Sequence, residues 1–188
     1  MAAAVPLRIE ITKRSDGGGV LRCVRPDGSY TWQRQDRHAP HFALHDLTHF
    51  AVETTLGFRQ GFFGLIAAGW DIEDTTGKGA RGSLPDEALE VERIVGLLDA
   101  ERAGATIWPV DEFNLRRGRH LIEEEIERVR ARRAELFAQW SAVQPGGKIE
   151  LNFDESLWAI SVGHRALGHF ERSNAGKADA QEPIAESQ

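Results

Sequence analysis

The sequence predicts an α+β fold in which an antiparallel sheet packs against three to four helices. Two segments, one near the N-terminus and one around residue 150, alternate apolar and polar residues, which is the period of a half-buried strand. Between them, apolar residues recur at helical spacing. A glycine-rich segment and a Pro-Asp-Gly segment separate the N-terminal strands and indicate tight turns.

The predicted sheet consists of an N-terminal three-stranded meander plus C-terminal strands. Residues 7–12 alternate apolar and polar side chains, and residues 20–25 and 29–33 have the composition of the next two strands. Residues 149–154 alternate in the same way. We expect residues 157–162 to be the hairpin partner of that last strand.

The first helix is predicted from Pro40 to Leu56. Proline is favoured in the first turn of a helix, and Gly57 suits the position just past the end. A short buried helix is expected within residues 61–70, where two glycines would allow a close approach of backbone.

Two longer helices are predicted further along the chain. One begins near Ser83, which we interpret as the N-terminal cap, and ends at Gly104. The other covers residues 117–143 and ends at the Pro-Gly-Gly segment that begins at Pro145. On the second of these helices Arg133 falls inside the apolar stripe, so we expect it to pair with a buried carboxylate or to extend toward solvent.

Length and composition indicate one domain. The chain has 188 residues, 41% of them hydrophobic, which is enough for a single core without disulfides. We predict a globular α+β domain over residues 1–170. Residues 171–188 contain one isoleucine and no aromatic residue, so we expect a disordered tail there.

Cysteine content and hydropathy indicate the cellular compartment in which we expect the protein. Cys23 is the single cysteine, so no internal disulfide framework exists. The N-terminus has no long apolar run, which makes a signal peptide an unfavoured interpretation. No stretch approaches the ~18 apolar residues of a membrane span. We therefore expect a cytoplasmic protein with no membrane partner.

The charge of the chain argues against nucleic-acid binding. The formal net charge is −6, and the arginines of the longest predicted helix alternate with glutamates, which is typical of a solvated, salt-bridged face.

Residues 77–82 fit Gly-x-Gly-x-x-Gly, but polar residues rather than a strand precede them. The dinucleotide fingerprint requires that strand.

A histidine stripe is the feature that points to chemistry. Four of the seven histidines lie within twelve residues, beginning at His38. His41, His45, His49 and Glu53 follow at steps of four. Each step of four advances about 40° around a helix, so adjacent members share one face. Two imidazoles one turn apart can converge on one metal ion.

The segment from His45 to His49 resembles the zincin motif His-Glu-x-x-His, with Asp46 in the place of the glutamate. In that family the glutamate is the general base that acts on a metal-bound water. The match covers five residues, and the Gly-x-x-His continuation of metzincins does not follow. We therefore do not assign the chain to the family.

Two hypotheses for function follow. In the first, the protein binds a divalent metal ion, and Zn²⁺ is the first candidate because it accepts imidazole ligands. The reaction inferred by analogy is metal-assisted hydrolysis. The predicted ligands are His45 and His49 with His41 or Glu53 as the third, and Asp46 is the predicted catalytic base. Another ligand from elsewhere in the fold would be needed. In the second, the protein is a non-enzymatic assembly or regulatory module.

The second hypothesis makes the histidines structural. Because the helix has apolar residues on every side, its histidines would then be satisfied core or interface groups. Glycine-rich residues 57–69 and exposed aromatic residues would support self-association into a homo-oligomer. The substrate of the first hypothesis is not defined by the sequence.

Overall fold

The computed structural model describes residues 6–36, 39–77, 79, 81–104, 106–115 and 118–154. Within these residues it contains four strands, five α-helices and a short 3-10 helix (Asp74–Thr76). The strands are β1 (Leu7–Lys13), β2 (Gly19–Val24), β3 (Tyr30–Gln35) and β4 (Lys148–Phe153). The helices are α1 (Ala39–Leu56), α2 (Phe62–Ala67), α3 (Asp86–Arg102), α4 (Val110–Phe113) and α5 (Glu123–Ala142).

The four strands form one antiparallel sheet in the order β3-β2-β1-β4. In the register of the sheet, Ile9 lies opposite Cys23 on one side and Leu151 on the other. These three side chains are buried, so this is the face that packs on the helices. The opposite face carries Tyr30 and Trp32, which are more than half exposed.

The helix α1 lies at the centre of the helical layer. It contacts β2, α2, α3 and α5. Its buried apolar residues include Leu47, Phe50 and Val52, and they belong to one continuous hydrophobic core. Because neighbours lie on several sides, the polar side chains of the second half of α1 must find partners inside the protein.

The predicted α+β class and the N-terminal meander are confirmed. The first helix runs from Ala39 to Leu56, and Gly57 follows it with φ +73°. This left-handed conformation favours glycine. The C-terminal strand is present as β4, which pairs with β1. The predicted strand at 157–162 and the predicted tail at 171–188 lie outside the described residues.

Two helix starts differ from the prediction. The helix α5 begins at Glu123, because the backbone from Arg119 to Ile122 is held out of the helix. The Glu125 carboxylate accepts a hydrogen bond from the Ile122 amide at 3.2 Å and from the Arg119 guanidinium at 2.6 Å. Ser83 does not cap α3, because Pro85 occupies the N-cap with an extended backbone and the helix starts one residue later.

Arg133 pairs with the buried carboxylate of Glu101 at 3.4 Å, as one of the two predicted alternatives. Cys23 is fully buried, and burial raises the pKa of its thiol. No described helix is both long and apolar enough to cross a membrane.

We expect Leu47→Ala to lower the free energy of unfolding by about 2–5 kcal/mol, because Leu47 is fully buried on the central helix. The matched control is Leu89→Ala, since Leu89 is 55% exposed on α3, and its effect should stay within about 0.5 kcal/mol. Urea unfolding followed by circular dichroism measures both. Equal losses in the two variants would contradict the central position of α1.

Candidate functional site

The histidine stripe of α1 passes from solvent into the core. His41 is exposed, the His45 side chain is 31% exposed, and the side chains of His49 and Glu53 are 2% and 0% exposed. The stripe follows the axis of α1, which contacts α2, α3 and α5. Its four members therefore range from exposed to fully buried.

His45 and His49 meet at one cavity. Their ring centroids are 4.8 Å apart, with the ring planes at 76°. The cavity has a volume of about 390 Å³ and lies between α1, β3, α3 and the segment that follows α2. Its wall combines polar and apolar side chains from these elements: Gln33, Gln35, Phe42, His45, Asp46, His49, Phe62, Ile72, Thr75, Thr76, Leu84 and Glu92.

Glu92 of α3 brings a carboxylate to the two histidines. Its Oε1 lies 3.4 Å from Nε2 of His49. One ligand atom from each of His45, His49 and Glu92 lies within 4.8 Å of the other two. Neutral imidazole and carboxylate are ligands that zinc and similar divalent ions take, so this group can hold a metal ion.

A second group consists of His41, His45 and Asp99, whose ligand atoms also lie within 4.8 Å of one another. Here a cation is already present. The Arg102 guanidinium lies 2.7 Å from Nδ1 of His41 and donates to Oδ1 of Asp99 at 3.2 Å. Because the guanidinium has a fixed positive charge, it repels a metal ion from this second group.

Asp99 orients His45. Its Oδ2 lies 2.8 Å from Nδ1 of the ring. Burial lowers the pKa of His45, but the hydrogen bond and the charge of Asp99 outweigh it, so the net pKa is raised. Burial raises the pKa of Asp99, but the hydrogen bonds and charges of His45 and Arg102 outweigh it, so the net pKa is lowered. With Nδ1 engaged by Asp99, Nε2 is the nitrogen of His45 that is left for another partner.

His49 is held in its neutral form. Burial lowers its pKa to about 4, and the charge of His45 acts in the same direction, while Glu92 acts against it. Neutral imidazole is the form that ligates metals. Nδ1 of His49 lies 3.4 Å from Oε1 of Glu53.

Asp46 lies beside the histidines in the cavity wall. It is buried, and Gln35 donates a hydrogen bond to its Oδ2 at 2.9 Å. Burial raises the pKa of this carboxyl group to about 7, with the Gln35 hydrogen bond opposing the shift. A carboxyl group that titrates near neutral pH in a cavity is suited to proton transfer.

Glu53 binds the beginning of α2. Its carboxylate accepts hydrogen bonds from the amides of Phe63 and Gly64 at 3.1–3.2 Å. Burial raises its pKa to about 8, and these amides act against the shift. Gly61 lies against the same carboxylate, because a Cβ at that position would be 2.5 Å from Cδ of Glu53. The close approach predicted for the glycines of this segment is therefore confirmed.

Two residues of the cavity wall carry a buried polar atom without a partner. In the described part of the chain, four buried side-chain nitrogen or oxygen atoms have no hydrogen-bond partner. Two of them, Oε1 of Gln35 and Nδ1 of His49, belong to residues of the cavity wall. Buried polar atoms without partners are rare in folded proteins, and one of these two belongs to the histidine pair.

The structure brings together three of the residues singled out by the sequence, His45, His49 and Asp46. It places His41 beside Arg102 and binds Glu53 to α2. His120 lies before α5 and is exposed. His38, His164 and His169 lie outside the described residues.

Sequence reasoning missed Glu92 and Asp99, two carboxylates that α3 supplies. They are seven residues apart and therefore share one face of α3. This spacing was the signal that could have paired them, although α3 carries other acidic residues as well. What the spacing could not show is that this edge of α3 faces His45 and His49.

Comparison of the chain with protein-family models, with curated proteins and with solved structures gives no match.

We expect Gly61→Ala to lower the free energy of unfolding by about 1–3 kcal/mol, because the new methyl group would overlap the buried Glu53 carboxylate. Gly96→Ala is the matched control. Gly96 lies within α3, and a methyl group added there would meet no atom within 4 Å, so alanine should stabilise the protein by about 0.5–1 kcal/mol. Thermal and urea unfolding measure both. A neutral Gly61→Ala would contradict the close packing of Glu53.

Proposed function

We propose that this protein binds a divalent metal ion, zinc first among them, through His45, His49 and Glu92, and uses it for hydrolysis. The observation that carries the proposal is the meeting of these three side chains at one cavity, with their ligand atoms within 4.8 Å of one another. Two of the three were predicted from the four-residue spacing, and the third comes from α3.

Glu92 is assigned as the third ligand in preference to the residues that the sequence suggested. His41 lies against the Arg102 guanidinium, and Glu53 is bound to the amides of α2. Glu92 is bound neither to Arg102 nor to the amides of α2. Its side chain is 46% exposed and faces Nε2 of His49, so it can move to close the site.

Three protein ligands would leave one position of a tetrahedral site for water or substrate, which is the pattern of catalytic rather than structural zinc sites. A bound ion would supply Lewis-acid activation of water. The neutral form of His49 and the orientation of His45 by Asp99 both favour ligation.

Asp46 is our candidate for the general base. It lies in the wall of the same cavity, and it is the acidic group there that the ligand assignment leaves over. Gln35 holds its carboxyl group in place through Oδ2. The remaining wall is partly apolar, with Phe42 and Phe62 among its residues, as in small-molecule sites generally.

We also propose a cytoplasmic location. The support is the cysteine content, because Cys23 is the single cysteine of the sequence and its thiol is buried and free. Chains that fold without disulfides are typical of reducing compartments.

Metal content tests the binding proposal. The protein is purified without a histidine tag, incubated with Zn²⁺ and desalted, and its metal is measured by elemental analysis. We expect about one zinc per chain in the natural protein and almost none in His45→Ala/His49→Ala, because both imidazole ligands are lost. Glu92→Gln should weaken zinc binding without abolishing it.

His120→Ala is the control, since it removes an exposed histidine outside the cavity. It should keep the full zinc content. Equal metal content in the natural protein and the double variant would contradict the proposal and favour the alternative of structural histidines in an assembly module.

Asp46→Asn tests the hydrolytic part. With p-nitrophenyl acetate as a generic activated ester, we expect the zinc-loaded variant to hydrolyse about 100-fold more slowly, since loss of a general base costs about 10²–10⁴-fold. The zinc content should be unchanged, because the amide keeps the size of the side chain and its contact with Gln35. An unchanged rate would remove Asp46 from the reaction.

A further inference from the structure

We propose that Asp99 and Glu53 are positioning residues that hold Nδ1 of His45 and of His49, so that both Nε2 atoms face the metal. This inference rests on the proposed metal site. It assigns a role to two carboxylates that are not themselves ligands. Carboxylates of this kind fix the tautomer and the ring orientation of metal-bound histidines.

The pair of Asp99 and His45 is formed. Oδ2 of Asp99 lies 2.8 Å from Nδ1 of His45. The other oxygen of Asp99 accepts a hydrogen bond from Arg102 at 3.2 Å. Arg102 thus fixes the carboxylate, and the carboxylate fixes the ring. A proton on Nδ1 leaves the lone pair of the ring on Nε2.

Glu53 and His49 lie next to each other but share no hydrogen bond. Oε1 of Glu53 lies 3.4 Å from Nδ1 of His49. The other ring nitrogen, Nε2, lies 3.4 Å from Glu92, on the ligand side. The His49 ring therefore lies between a carboxylate on each edge. Nδ1 has no hydrogen bond, and contacts of this kind often tighten when the ligand of the site binds.

Glu53 is fixed in place on its far side. Both of its oxygens accept hydrogen bonds from the Phe63 amide, and Oε2 also accepts one from the Gly64 amide at 3.1 Å. Gly61 closes over the carboxylate. Because Oε2 has more amide partners, Oε1 is the oxygen that is left for His49.

Both pairs can be tested with a change of one atom. In Glu53→Gln, the amide oxygen should keep the position of Oε2 against α2, which turns the NH₂ group toward Nδ1 of His49. In Asp99→Asn, the oxygen should keep its bond to Arg102, which turns the NH₂ group toward Nδ1 of His45. A donor would then face a nitrogen that must itself carry a proton when Nε2 binds metal.

We expect each variant to bind Zn²⁺ about 10–100-fold more weakly, as loss of such partners generally does. Competition with a chromogenic chelator measures the affinity. A second readout is the Nδ1–H resonance of each histidine in ¹H–¹⁵N spectra of the zinc-loaded protein. It should lie far downfield in the natural protein and move upfield in the variant, which a purely structural role would not cause.

Glu125→Gln is the matched control, because it makes the same one-atom change at a carboxyl group that is 1% exposed and bound to Arg119 outside the cavity. It should leave the zinc affinity unchanged. If Glu53→Gln fails to fold, the zinc-loaded natural protein decides for Glu53, because an Nδ1–H resonance of His49 that is not far downfield would overturn its role. Asp99→Asn tests the other pair independently.

The outcomes separate the two proposals. If the natural protein binds zinc through His45 and His49, and the two amide variants bind it with the same affinity, the positioning roles are overturned and the metal site stands. If the folded natural protein takes up no zinc, both proposals are overturned. Weaker binding together with displaced Nδ1–H resonances supports both.

Discussion

The burial of α1 is the constraint on which the rest of the structure depends. A helix that contacts the sheet, α2, α3 and α5 leaves its buried polar side chains no water to bind. Asp46, His49 and Glu53 are nevertheless among its buried residues. Each needs a partner from a neighbouring element, and these partners fix where β3, α2 and α3 can lie. The beginning of α2, bound by Glu53, is the clearest case.

In the described part of the chain, the buried carboxyl groups of the helices fall into two kinds. Glu101 and Glu125 each face arginine: Glu101 lies against Arg130 and Arg133, and Glu125 lies against Arg119. Such pairs neutralise a charge inside the protein, although the cost of desolvation leaves them with modest net stability. They join α3 and the segment before α5 to the body of the protein.

Asp46 and Glu53 belong to the other kind, because their hydrogen bonds come from the Gln35 amide and from backbone amides rather than from a cation. Burial raises the pKa of both groups above the usual carboxyl range. Carboxyl groups without a counter-charge cost stability and are a frequent mark of functional sites. That both lie next to His45 and His49, on α1, is what distinguishes this cavity from the rest of the core.

Local chemistry predicted the elements well wherever a backbone signal was strong. Pro40 and Gly57 bracketed α1, and strict alternation predicted β4. The predicted start of α5 was wrong. Charged residues before Glu123 continue the helical pattern, but Glu125 binds the Arg119 side chain and the Ile122 amide, so the helix begins only after Ile122. Such a contact depends on a side chain folding back, and periodicity does not describe it.

The sequence by itself determined that His45 and His49 share one helix face, because four-residue spacing and helix geometry leave no other arrangement. It also indicated that much of this helix is buried, since apolar residues lie on every side. Only the tertiary structure decided that Glu92 and Asp99 lie across from the histidines, and that Arg102 occupies the place beside His41. Those contacts join residues about fifty positions apart, and the rotation of α3 against α1 is set by packing rather than by any local pattern.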